Sequence, residues 1–159
     1  MLTKREFAPS QGAIQTQAEI HIAGPPRHVA ALYRDVEKWG QTFPATIERA
    51  RVIDSGENWQ QIEVRHKLEG YVPNMLIFLS DTEIGLEESK KKYNSSFLNE
   101  FKTAANGTTH YVITSFVSLK GIYKVLKPFL QNYVRRQSLL QMRRYVLEPL
   151  KTAVEHERT

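Results

Sequence analysis

The chain has 159 residues, a formal net charge of +5 and no cysteine. That length accommodates one ordinary hydrophobic core and not two, and the missing cysteines exclude a disulfide framework, a thiol nucleophile and a cysteine metal site. With 41% hydrophobic and 25% charged residues the chain reads as globular rather than disordered. No apolar run approaches the ~20 residues that span a bilayer, and the charged first residues are followed by no apolar stretch, so no signal peptide is read and a cytoplasmic protein is expected.

Residues 1–13 are polar, contain Pro9 and Gly12, and read as a loose arm ahead of a single domain over 14–155. Ile14 to Ala23 alternates, with Ile14, Thr16, Ala18, Ile20 and Ile22 on one face of a half-buried strand. Gly24-Pro25-Pro26 stops it, and a proline in a first helical turn suits the start of a helix over 26–36. A short second helical turn carries Trp39 and Phe43 before Pro44 ends it. From residue 46 the period becomes two, which predicts strands near 47–54, 58–69, 74–84, 87–94, 96–104 and 108–118. Asp54-Ser55-Gly56 and Asn106-Gly107 supply hairpin turns, and Gly70 with Pro73 marks a break. After Gly121 the spacing is helical, with a stripe of Ile122, Leu126, Phe129, Tyr133, Leu140, Leu147, Leu150 and Val154. Pro149 is expected to kink or fray the end of this helix, whose main body covers roughly 122–148.

One strand, two short helices, six strands and a long helix make an α+β domain with an antiparallel meander. A sheet of about seven strands opposed by one long amphipathic helix must curl around it to cover both apolar faces. The curl leaves a space that large side chains or a ligand fill.

The order of elements resembles the START-like superfamily of polyketide cyclases, lipid carriers and birch-pollen-allergen proteins, called helix-grip proteins. The likeness is carried by Ile20-His21-Ile22-Ala23-Gly24-Pro25-Pro26-Arg27-His28-Val29, which resembles the family's first strand running into a proline-initiated helix. It continues in Asp35-Val36-Glu37-Lys38-Trp39 with Phe43-Pro44, similar to the family's Asp-Val-x-x-Trp and following proline, and in Asn106-Gly107-Thr108-Thr109 before the last strand. The resemblance spans residues 14 to 155 and implies a hydrophobic small molecule, a lipid, quinone or polycyclic aromatic, held between sheet and C-terminal helix. It is poorly specific for activity. A carrier or binding protein, a polyketide cyclase/aromatase and a co-chaperone-like protein-binding module all stay open.

The residues themselves suggest where such a ligand would lie. No histidine pair or acidic cluster has metal-ligand spacing, and no glycine-rich phosphate loop or serine elbow occurs, so no metal and no cofactor are expected. On one side of the strand 58–69 stand Gln60, Ile62, Val64, His66 and Leu68, so His66 could meet the ligand or be a histidine satisfied near a strand end. Phe97, Asn99, Phe101 and Thr103 share a face of the next-but-two strand. Asn99 is either a hydrogen-bonding group in an apolar pocket or an amide satisfied by backbone. Tyr33, Trp39, Phe78 and Tyr93 add aromatic surface near the expected cavity. Extending 100° per residue along the helix puts Arg136 and Arg143 among Phe129, Tyr133 and Leu140. A guanidinium buried there needs a carboxylate, water or an anionic ligand, whereas a slip of helical phase would leave both arginines on a solvated rim. The basic runs have no interleaved aromatic platform, which argues against nucleic acid and leaves transient docking to an anionic membrane open.

Overall fold

The structure, a computed structural model, describes residues 2–157. The first strand, β1 (Ile14–Ile22), buries Ile14, Ala18 and Ile22 at every fourth position. The following prolines release the chain from the sheet, and Pro26 opens α1 (Pro26–Arg34), which turns Val29, Ala30 and Tyr33 inward. A 3-10 turn (Val36–Lys38) and α2 (Trp39–Thr42) follow. Then come β2 (Ile47–Ser55), β3 (Trp59–His66), β4 (Gly70–Ser80), β5 (Glu83–Ser89), β6 (Tyr93–Thr103) and β7 (Thr109–Leu119).

All neighbours are antiparallel, in the order β1-β7-β6-β5-β4-β3-β2. β1 and β2 are consecutive in the chain yet lie at opposite edges of the sheet, so α1 and α2 must cross from one edge to the other. α1 packs against β6 and β7 on the way, and α2 reaches β2. A twisted seven-stranded sheet bridged in this way is curved, with its concave face toward the helices.

The C-terminal helix is built in pieces: α3 (Ile122–Val125), α4 (Lys127–Met142), a π-helical turn (Arg143–Leu147) and α5 (Glu148–His156). α4 lies along β1 and β7, and α5 along β1 and α1. The expected kink at Pro149 takes the form of that π turn. Proline cannot donate to the carbonyl four residues back and its ring crowds it; widening the preceding turn to i→i+5 bonding accommodates both effects. The helix then runs on to His156, past the expected main body and through Leu150 and Val154 of the stripe.

The π turn overturns the helix face read from the sequence. Leu147, Leu150 and Val154 are buried as the stripe requires. Upstream the wide turn shifts the phase, so that Met142, with Leu139 packed beside it, continues the buried line. Phe129 (84% exposed), Tyr133 (56%) and Leu140 (57%) are turned to solvent instead, and Arg136 and Arg143 are exposed with them.

Three strand positions also differ, β6 beginning at Tyr93 rather than 96. β4 and β5 each begin four residues before the predicted place, because Gly70, with φ of +77°, starts β4 rather than breaking a strand. The true turn between them is Asp81-Thr82. Leu68, expected on the inner face, stands in the β3–β4 turn, fully exposed. The arm before β1 has no regular structure but lies against the outer face of the sheet. Arg5 exchanges two hydrogen bonds with Asn58 (2.9 and 2.8 Å) and stacks over Trp59 at 4.7 Å. The Trp59 indole donates to the Thr3 carbonyl. Phe7 meets Phe116 edge-on and occupies the space above Gly85, where a β-carbon would come within 2.5 Å of its ring.

Candidate functional site

Because side chains alternate along strands and the register is continuous, the concave floor can be read row by row. One row runs Phe78, Ile84, Asn99, Ile113 and Ala18; the next runs Gln60, Leu76, Leu86, Phe97, Ser115 and Thr16; a third runs Ile62, Asn74, Glu88, Ser95, Val117 and Ile14.

The first row ends in a closed aromatic cluster. Phe101 stacks on Tyr111 at 4.5 Å and 24°, and Tyr33 contacts Phe101, Trp39 and Phe43 at 5.6–6.3 Å. The Trp39 indole donates to the Tyr33 carbonyl at 2.7 Å. Asn99, fully buried, donates to the Tyr33 hydroxyl (3.2 Å) and the Ile84 carbonyl (3.0 Å) and accepts from the Tyr111 hydroxyl. Burial raises the pKa of both phenols, so both stay protonated. Tyr33, Trp39, Asn99 and Phe101 are thus mutually satisfied core, and Ile62 and Val64 are fully buried beside them.

The other two rows are different. Leu86 and Phe97 are half-buried, and three buried polar atoms of their row, Thr16 Oγ1, Ser115 Oγ and Gln60 Oε1, have no hydrogen-bond partner in the protein; His66 Nε2, farther along β3 on the same face, is a fourth. An unpaired buried polar group costs about 1–3 kcal/mol, so four on one face of one sheet are a feature needing a reason. Burial lowers the His66 pKa, which favours the neutral ring. Burial likewise pushes Glu88 up, against the pull of Lys90. In one orientation the Asn74 amide donates to Glu88 Oε2 at 3.4 Å. In the other it donates to the carbonyls of Pro73 (3.0 Å) and Val72 (3.2 Å); its oxygen then faces Glu88, which can satisfy it only as the protonated acid. The second arrangement makes two good bonds in place of one long one and agrees with the raised pKa. At the rim, Lys90 pairs with Glu69 at 3.0 Å, lies 4.0 Å from Glu88 and sits over the half-buried Tyr93 ring. Burial would lower Lys90, but Glu88, Glu69 and Tyr93 outweigh it and its pKa is raised.

The polar groups of the concave face on β3–β5 are therefore Gln60 near the start of β3, Asn74 and Glu88 in the next row, and His66 at the finish of β3, not arginines. Arg136 and Arg143 lie outward for the reason given above, and Phe129, Tyr133 and Leu140 with them. Phe78 packs on the core edge under the Arg34 guanidinium, 4.1 Å from its ring centre. A surface cleft of about 360 Å³ opens there among Arg27, Ala31, Arg34, Asp35 and Asp81, and one of about 180 Å³ lies among Arg49, Ala50, Arg51, Glu63 and Tyr71. Neither is lined by the residues expected to face a ligand. No face is assigned to the expected strands 74–84 and 87–94 from the sequence, which leaves Asn74 and Glu88 without a side and puts Leu86 between strands. The signal was the Asp81-Thr82 turn, which sets the frame of β4 and β5.

No family model matches the chain, and no curated protein does. Solved structures do. The Thermus thermophilus protein TTHA0849 superposes with a TM-score of 0.69 at 16% identity, covering 91% of this chain and 99% of its own. The Zhui aromatase/cyclase of a Streptomyces species gives 0.70 at 13%, covering 91% and 95%. A START superfamily protein of Mycobacterium smegmatis gives 0.64 at 10%, covering 89% and 97%. At these identities the likeness is one of fold, and the fold is START-like.

Proposed function

We propose that this START-like chain binds a hydrophobic small molecule carrying hydrogen-bonding groups, on the concave face between β3–β7 and the C-terminal helix. The observation that carries the reading is the set of three partnerless polar atoms in the row of half-buried Leu86 and Phe97, with that of His66 farther along the same face. An apolar body over Leu86 and Phe97 would gain from burial. Polar groups on that body would satisfy the hydroxyls of Thr16 and Ser115, Gln60 and His66, and reject ligands lacking them. Glu88, its pKa raised by burial, can donate to a carbonyl or ether oxygen when protonated. A lipid, quinone or polycyclic aromatic has this mix of features, and the role is that of a carrier or binding protein.

The test is native mass spectrometry of freshly purified protein followed by organic extraction. An adduct of one hydrophobic molecule per chain is expected, and Gln60→Leu with His66→Leu should reduce its occupancy while the fold persists. A protein that carries no adduct and takes up no quinone, fatty acid or polycyclic aromatic would end the proposal.

One observation favours a second reading as a cyclase-type enzyme. Burial raises the Glu88 pKa and lowers that of His66, and the charges of Lys90 and Glu69 act on both, so an acid and a base stand near the same ion pair. In an intramolecular aldol closure of a poly-β-keto chain, neutral His66 would take a proton from the carbon between two carbonyls. That carbon attacks a second carbonyl, and Glu88 protonates the oxygen formed. Turnover of such a chain that is lost in Glu88→Gln, with ligand affinity retained, distinguishes this reading from carriage.

A further inference from the structure

We infer that the outer face of α3 and α4 is a docking surface for an anionic membrane. On α4, Phe129, Tyr133, Arg136 and Leu140 follow one another at intervals of four and three residues, which keeps them on one side of that helix, and exposed Ile122 and Val125 on α3 precede them. Ile122 is 69% and Val125 77% exposed, with Phe129, Tyr133 and Leu140 as given above. Isolated exposed apolar residues need no account, but a continuous row does. Helices bury such rows against their own core; here the opposite side of α4 packs on β1 and β7, and the apolar row faces away.

The charge of the same segment identifies the occupant. From Lys120 to Leu147 there is no aspartate or glutamate, while Lys120, Lys124, Lys127 and the pairs Arg135-Arg136 and Arg143-Arg144 all fall within it. This stretch carries +7 and the rest of the chain −2, which together make the net +5. Lys120 Nζ is held by Ser89 and the Lys90 carbonyl and Lys127 Nζ by the Gly12 carbonyl, whereas Lys124, Arg135, Arg136, Arg143 and Arg144 lie on the C-terminal helix that exposes the apolar row. Among the described residues none of these seven cations forms an ion pair with a carboxylate. Nucleic acid would leave Ile122, Val125 and Phe129 without a function. An anionic bilayer satisfies both features. Apolar side chains enter the acyl boundary, and arginines placed within the row, as Arg136 is, keep their stems in it while the heads reach lipid phosphates. The inference stands apart from the ligand reading, since neither set of residues includes the other.

The measurement is co-sedimentation of the full chain with vesicles of phosphatidylcholine, with and without phosphatidylglycerol. Binding to the anionic vesicles only, weakening with added salt, is expected. Arg136→Gln and Arg143→Gln should each reduce the partition coefficient by about fivefold, and Phe129→Glu by about tenfold or more. Each exposed position should keep its thermal midpoint. Four results would overturn the inference: no sedimentation with anionic vesicles, equal binding by Phe129→Glu, duplex DNA binding in place of vesicle binding, or a dimer of the wild type that Phe129→Glu dissociates.

Discussion

Asn99 offers the sharpest division between structural and functional polar groups. In Asn99→Ala the Tyr111 hydroxyl loses its acceptor, and the Tyr33 hydroxyl and Ile84 carbonyl lose a donor. All three lie in a cluster that water does not reach. Leaving one buried hydroxyl unpaired costs about 1–3 kcal/mol, and the lesser losses at Tyr33 and Ile84 bring the total to about 3 kcal/mol. For a chain of this size each kcal/mol moves the midpoint by about 2–4 °C, so a fall of roughly 6–12 °C is expected. Thermal unfolding followed by circular dichroism measures it, beside adduct occupancy by native mass spectrometry. Tyr111→Phe, which orphans only the Asn99 oxygen, should lose about a third to a half as much. The reasoning is refuted if Asn99→Ala unfolds within 2 °C of the wild type, about the shift of a neutral surface change, yet loses its adduct, since Asn99 would then be a ligand contact.

The phase of the long helix can be tested by truncation: Met142→Ala and Leu150→Ala should each cost about 2–5 kcal/mol, whereas Phe129→Ala and Leu140→Ala should stay within about 0.5 kcal/mol; the reverse order in chemical denaturation would restore the unshifted stripe. Glu88, its pKa raised by burial, stabilises fully below the unfolded carboxylate range, and that contribution is lost as pH rises through the folded value. Glu88→Gln should therefore unfold at a higher temperature than the wild type in neutral and mildly alkaline buffer and show no gain in acid; equal pH profiles would contradict the burial of this carboxyl. Gly85→Ala should displace Phe7 and hasten tryptic cleavage after Lys4 and Arg5, with unchanged cleavage showing that the arm is held without that contact.

The architecture was legible because its signals are local. Alternation in Ile14–Ile22, the proline start at Pro26 and the Asn106-Gly107 turn each act over a few residues, and the curl follows from how many strands one helix must cover. What was not legible depended on phase carried over distance. A single π turn beside Pro149 moved the face of everything upstream, and the sequence assigns no face to the strands that carry Asn74 and Glu88. Asn99 among phenylalanines could be read either way from the sequence, since its partners Tyr33 and Tyr111 lie 66 and 12 residues away. The aromatic supply was counted correctly, but Tyr33, Trp39 and Phe101 pack on one another, and Phe129 and Tyr133 face outward. The orphaned hydroxyls of Thr16 and Ser115 have no counterpart in sequence pattern, because only register brings them opposite each other.

The most direct test of a ligand on the concave face is titration with 1-anilinonaphthalene-8-sulfonate, comparing the wild type with Leu86→Trp, which fills the floor between Leu76 and Phe97, and with Phe129→Glu, which alters the outer helix. A saturable rise in emission at one probe per chain, kept in Phe129→Glu and lost in Leu86→Trp at an unchanged far-ultraviolet spectrum, is the predicted result. Emission kept in Leu86→Trp and lost in Phe129→Glu would place the apolar site on the outside of the helix and contradict the account.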